Sequence, residues 1–202
     1  MNNCIIINGQ KIELAPEQIE KAVAALSVNR VKLSDIPVGE TCKIGAHELV
    51  VLEQLDGATA LIHKDMYGDP MEFGANNNYA DSYVDCACET FACEIGEVIG
   101  ADNIIEHEVN LTSDDGLKDY GMIERRASLL TTDRYRKYVQ ILDNFKPDRW
   151  WWLATPYSTA THGNDSWVKC VSPFGGIYDD LFSSDLGVRP FCILKSDIFV
   201  SR

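Results

Sequence analysis

At 202 residues with 46% apolar and 24% charged content, the chain has the size and composition of one globular domain with a small appendage, able to fold without a disulfide framework or a metal. Eighteen Lys and Arg against 31 Asp and Glu give a formal charge of −13, so direct DNA or RNA binding, which depends on clustered cations, is not expected. No stretch approaches the roughly 20 apolar residues of a membrane span, and residues 1–7 lack the basic lead of a cleaved leader.

Cys4 to Leu14 reads as a β-hairpin, with β-branched Ile5-Ile6-Ile7, the favoured Asn8-Gly9 turn and alternation through Lys11-Ile12-Glu13-Leu14. Pro16 and Glu17 then open a helix carrying Ile19, Ala22, Val23 and Leu26 at helical spacing. Residues 1–30 therefore form an appendage that packs on the main domain or mediates self-association; residues 31–202 form the main domain. Leu33 to Gly39 is rich in turn residues. Thr41–Ile44 and His47–Gln54 alternate about Gly45-Ala46 as a second hairpin, and Ala58–Lys64 is a further strand. His47 and His63 lie on these strands with no metal-ligand partner near them in sequence, and are read as structural or surface residues.

Asp81-Ser82 caps a helix running to about Ile99, with Val84, Cys88, Phe91, Ile95 and Val98 on one face and Gly100 ending it. Seven cysteines is an odd number, so they are expected as thiols of a reducing compartment. Cys86, Cys88 and Cys93 cluster on this helix; a zinc site would need a fourth ligand such as His107, and small side chains on a half-buried helix are the simpler reading. Ile104–Leu111 is extended. Thr112-Ser-Asp-Asp-Gly116 is rich in oxygen but lacks the patterned run and distal Glu of a calcium loop. No metal or cofactor is expected. Ala127–Leu130 is a buried strand, and Thr131-Thr132-Asp133 starts a second helix over about 132–144, with Tyr135, Tyr138, Val139 and Leu142 inward.

The last third holds the densest apolar runs and all four tryptophans. In a strand, Trp151 and Leu153 take one face and Trp150 and Trp152 the other. Trp151, Trp152 and Trp167 are expected as structural anchors. Arg189, in an apolar run, is expected to lock loop ends through a carboxylate or backbone carbonyls, because an unpaired buried charge is costly. Two polar, aromatic-tipped loops, 157–165 and 174–186, separate the runs. Tyr157, His162, Asn164 and Asp165 of the first, and Phe174, Tyr178, Asp179, Asp180, Phe182 and Asp185 of the second, are the candidate ligand-binding residues, since such side chains on loops make adaptable contacts. His162 with Asp165 or Asp180 could form an acid–base pair, but no Ser or Cys nucleophile motif accompanies it.

Several of these residues resemble a family found in phages, prophages and gut bacteria: Trp151-Trp152-Leu153, Pro156, Ser166-Trp167-Val168, Gly175-Gly176 and Gly187-Val188-Arg189-Pro190, with Phe73–Ser82 and Leu129–Tyr135 upstream. The resemblance spans about residues 31–195. It implies an α+β, C-type-lectin-like domain of short antiparallel sheets flanked by two helices, related to the variable proteins of diversity-generating retroelements and to formylglycine-generating enzymes. Where calcium-dependent lectins carry a Trp-Asn-Asp strand, this chain reads Trp167-Val-Lys169, so calcium ligation does not carry over. The paired cysteines of formylglycine-generating oxidases would fall to Cys170 and Cys192, which sit in apolar surroundings as buried thiols do. The resemblance thus implies a non-enzymatic binding protein of phage or prophage type, in the host cytoplasm or on the virion, presenting its C-terminal loops to a protein or cell-surface ligand. The −13 charge supplies an alternative, an acidic inhibitor seated in the basic nucleic-acid cleft of a host defence protein. An oxidase of the formylglycine-generating type is a second alternative, on fold analogy alone.

Overall fold

The structure, a computed structural model, describes residues 4–7, 10–13, 17 and 30–202. Strands β1 (Cys4–Ile7) and β2 (Gln10–Glu13) pair antiparallel with Ile7 opposite Gln10; the Asn8-Gly9 turn expected between them lies outside the described residues. Apart from Glu17, the helix expected from Pro16 lies outside the described residues.

An eight-stranded antiparallel sheet carries the rest. Its order is β10 (Ala127–Ser128), β14 (Phe191–Lys195), β6 (Ala58–His63), β5 (His47–Gln54), β4 (Thr41–Ile44), β15 (Phe199–Ser201) and β3 (Arg30–Lys32), with β7 (Ile104–Ile105) beside β10 on the same β14 edge. The β4–β5 turn needs Gly45, whose φ is +59°; a Cβ there would also meet the Val98 side chain at 3.0 Å. A two-stranded ladder, β8 (His107–Asn110) with β9 (Met122–Arg125), stands apart. The extended stretch expected over 104–111 is thus split between two sheets.

The central strands are apolar on both faces because both faces are covered. Leu49, Val51, Leu61 and Leu194 pack with Val84, Cys88, Phe91, Ala92 and Ile95 of helix α1 (Tyr83–Ile99). Their alternate neighbours Val50, Leu52, Ala60, Ile62 and Phe191 pack with Tyr135, Tyr138 and Leu142 of helix α2 (Thr132–Leu142). Each such aliphatic side chain contributes about 1.5–3 kcal/mol on burial. Capping follows the residue types. Ser82 accepts from the Asp85 N–H at the start of α1 and Gly100, at φ +89°, ends it; Thr131 accepts from the Arg134 N–H at the start of α2. Helix α2 stops at Leu142 and tightens into a 3₁₀ turn over Asp143–Phe145, slightly short of the 144 boundary expected. Among the described residues, no helix is long and apolar enough to cross a membrane.

The tryptophan run forms β11 (Trp151–Pro156), which joins β12 (Trp167–Val171) and β13 (Ile177–Leu181) in a second antiparallel sheet. Its alternation threads both cores: Trp151 and Leu153 enter the α2 side, Trp152 and Ala154 the α1 side. The Trp152 indole N–H donates to the Met71 carbonyl at 3.0 Å. The stretch 174–186, expected as one loop, instead contains β13. Its Ile-Tyr-Asp-Asp-Leu sequence lacks the β-branched enrichment of a core strand because β13 is the exposed edge of this sheet.

Candidate functional site

The site grows from one cross-strand pair. Lys169 of β12 stands opposite Asp179 of β13. Its ammonium lies 2.7 Å from Asp179 Oδ1 and 2.9 Å from Asp114 Oδ2, with the side chain only 10% exposed. It also sits 5.2 Å from the centroid of the Tyr157 ring. Burial pulls the ammonium pKa down, but the hydrogen bonds it donates to Asp179 and Asp114 more than offset that and hold it above the ordinary lysine value.

Around this ion triad, Tyr157, Asn164, Trp167, Tyr178 and Asp179 line an open cavity of about 390 Å³. The three rings are 41%, 40% and 54% exposed. Trp150 supports Tyr178 edge-to-face at 5.1 Å. Exposure of Trp167 corrects its expected place among the structural anchors. Val171, on the same strand face, is covered by the α2 core, but that cover runs out beyond Lys169, so Trp167 and its cross-strand partner Leu181 stand open.

The 157–165 segment is pinned. Asn77, fully buried, donates its amide to the carbonyls of Ser158 and Trp167 and accepts from the Tyr120 hydroxyl. Thr159 donates to Asp119 at 2.6 Å. Asp115 accepts from the hydroxyls of Ser113 and Ser158 and from His162 Nδ1 at 2.9 Å; these bonds hold its carboxyl well below the usual carboxylate range. Hence the partner of His162 is Asp115, not Asp165 or Asp180. The Ser158 hydroxyl points at the carboxylate rather than at the imidazole, so the three do not line up as a nucleophile, base and orienting acid. They form a latch between segments 113–119 and 157–163. The oxygen-rich stretch weighed as a calcium loop is one half of that latch.

Of the candidate residues, Tyr157, Asn164, Tyr178 and Asp179 meet at the cavity. The others do not line it. Asp165 is exposed and its carbonyl accepts from the Asn77 N–H. Asp180 shapes the end of β13 by accepting from the Leu181 N–H and the Ser184 hydroxyl. Phe182 is half-buried against the α1-side core, so it packs rather than presents. Phe174 is 89% exposed in the β12–β13 turn, and Asp185 is exposed after β13. Trp151 and Trp152 are buried, as is Arg189, which donates to the carbonyls of His63 and Lys64 at 2.9 and 2.8 Å and lies over the Trp151 ring. Burial pulls the Arg189 guanidinium down to about 10.

Lys169, Asp114 and Asp115 were not singled out from sequence. A signal existed: a lysine within Val168-Lys-Cys-Val171 needs an acid, and a turn at Gly175-Gly176 registers it with Asp179. Asp114 lies 55 residues upstream of Lys169, and no local pattern announces that contact.

Other clusters are structural in character. His47, His63, Tyr67 and Glu94 are linked edge to edge above Phe91, tying β5 and β6 to α1. Cys86 and Cys93 are exposed while Cys88 is buried, and His107 is buried against the Ser128 hydroxyl, away from a ligand role. Among the described residues, no group of three or more His, Cys, Asp or Glu is placed to hold a metal ion. Cys170 and Cys192 are both fully buried; burial raises both thiols, Cys170 to about 12, which withholds the thiolate. No protein-family model, no curated protein and no solved structure matches this chain.

Proposed function

We propose that this chain is a non-enzymatic binding protein of phage or prophage type, with a C-type-lectin-like domain that presents its C-terminal sheet to a protein or cell-surface ligand in the host cytoplasm or on the virion. One observation carries the reading: three half-exposed aromatic rings converge on a cavity whose walls are fixed by buried hydrogen bonds and an ion triad. Open aromatics on a rigid frame bind at low entropic cost. Two helices on opposite faces of an antiparallel sheet, with a small second sheet bearing the loops, support the domain assignment. The acidic-inhibitor reading draws on the −13 charge. In the groove between α1 and β9, however, two of the carboxylates are paired, Asp85 with Arg125 and Glu89 with Arg126, which lowers its negative charge. The test is affinity capture from host extract and host envelopes with the wild-type chain and with Trp167→Ala/Tyr178→Ala. Loss of capture at a nearly unchanged melting temperature is expected. Equal capture by both refutes the site.

A further inference from the structure

The histidine cluster that ties β5 and β6 to α1 has a second capacity. We infer that His47 and His63 bind one divalent transition-metal ion of the zinc type, through His47 Nδ1 and His63 Nε2. This site shares no residue with the aromatic cavity. His63 stands opposite Leu49 in the β5–β6 register, and His47 lies two residues before Leu49, so the two imidazoles are diagonal neighbours on the face of the sheet that meets α1. Both rings pack edge-on against Phe91 of that helix.

The outer nitrogen of each ring is committed as a donor. His63 Nδ1 lies 3.0 Å from the Asp65 carbonyl, which only accepts, so Nδ1 carries the proton. His47 Nε2 lies 3.2 Å from Glu94 Oε2, an oxygen that also accepts from the Tyr67 hydroxyl at 3.0 Å, so Nε2 carries the proton there. In neutral rings this leaves the lone pairs on His47 Nδ1 and His63 Nε2, and those two atoms face one another 3.4 Å apart. Facing lone pairs repel unless a cation stands between them. Histidines that ligate metals ordinarily donate their other N–H to a carboxylate or a backbone carbonyl, which fixes the tautomer and aims the ring. Here one ring has the carboxylate and the other the carbonyl.

The spacing favours a metal ion over a shared proton. Hydrogen bonds from N–H groups cluster near about 2.9–3.0 Å, and the 3.4 Å between the inner nitrogens is long for one. Two nitrogens bound at about 2.0–2.1 Å to a tetrahedral zinc ion are themselves about 3.3–3.4 Å apart. Burial, the largest influence on it, holds the His63 pKa below the ordinary imidazole value, which keeps that ring neutral and its lone pair available. The nearby cations do not compete for the position: Lys64 is paired with Glu48, and Arg189 donates to the carbonyls of His63 and Lys64. Imidazole nitrogens suit zinc, copper and nickel, whereas calcium and magnesium demand oxygen. Both histidines are half-buried, so an ion can reach them from solvent and water can fill the remaining positions of the tetrahedron. With two protein ligands, rather than the three or four of a resident zinc centre, the ion is exchangeable.

The test is a calorimetric titration of the whole chain, freed of metal and kept reduced, with Zn²⁺ alone, followed by long-range ¹⁵N–¹H spectra of the imidazoles. One ion per chain is expected. His47 Nδ1 and His63 Nε2 should shift on binding, while the ring nitrogens of His107 and His162 stay in place. Affinity should fall at least tenfold in His47→Ala and in His63→Ala. Glu94→Gln keeps both ligands and loosens only the aim of His47, and should weaken binding about 10–100-fold; this change on an exposed side chain keeps the test valid if a histidine variant fails to fold. Cys86→Ser/Cys93→Ser, which removes the exposed thiols of α1, should bind as the wild type does. No binding of Zn²⁺, coordination through the outer nitrogens, loss of binding in the cysteine variant, or wild-type affinity in the histidine and Glu94 variants overturns the inference.

Discussion

Lys169→Met removes an ammonium and keeps the length of the stem. In the folded chain that ammonium joins Asp179 at 2.7 Å and Asp114 at 2.9 Å, and its loss leaves two carboxylates facing one another. Breaking a fully buried pair costs about 3–5 kcal/mol. The carboxylates are 31% and 32% exposed, so water screens part of the loss, and about 1–3 kcal/mol is the expected destabilisation. For a chain of this size each kcal/mol shifts the melting temperature by about 2–4 °C, so a fall of about 2–12 °C should appear in a thermal scan at pH 7. Adding Asp179→Asn removes one of the stranded charges and should restore part of the loss. The pH dependence gives a sharper check. The folded Lys169 pKa lies above the ordinary 10.5. A group raised on folding gives stability that is complete below its unfolded value and is lost as pH climbs through its folded value. The gap between wild type and Lys169→Met should therefore stay flat from neutral pH to about 10 and close above it. Equal melting temperatures at pH 7, or a gap that widens in alkali, would show that the triad does not hold the site together.

Trp152→Ala removes a fully buried ring that also donates to the Met71 carbonyl, and should cost about 3–5 kcal/mol in urea unfolding, whereas Trp150→Ala, next to it but 38% exposed, should cost about 1 kcal/mol or less. Similar losses for the two would contradict the alternation of β11. Asp115→Asn should speed amide exchange across 158–164 while leaving β5 and β6 unchanged. In the wild type, the Asp115 carboxyl is held below its ordinary 3.8, so its contribution is whole above that pH and fades as pH falls toward the folded value; exchange protection of the segment should persist at pH 5 and decline only in stronger acid.

Most elements of the fold can be read from local chemistry. Ser82 and Gly100 bracket α1, and Thr131 opens α2, because capping depends on residues within a few positions of one another. The hairpin at Gly45 and the two-faced threading of Trp151 and Trp152 likewise follow from turn chemistry and a period of two. What sequence does not show is pairing between distant strands. β3 and β15 join residues near 31 and 200, and nothing in Arg-Val-Lys or Phe-Val-Ser specifies that partner. Strand β13 was hidden for a different reason. Apart from Ile177, which packs against the α2-side core, its side chains answer to Lys169 and to solvent, so the composition that marks a strand is missing.

The site divides along the same line. Tyr157, Asn164, Tyr178 and Asp179 are recognisable as polar and aromatic groups on the connections of an apolar scaffold, and they do converge. Phe182 and Asp180 have the same composition and serve packing and turn geometry instead. Composition cannot separate the two sets, because the difference lies in which strand face each residue occupies and where the α2 cover ends. That boundary falls between Val171, buried, and Trp167, open, with Lys169 between them. A lysine at that position can reach carboxylates while its stem lies on apolar surface. It therefore offsets one of the two carboxylate charges beside the cavity at the point where the core stops, and the charge left in the triad is decided by the fold rather than by the strongly acidic composition of the chain.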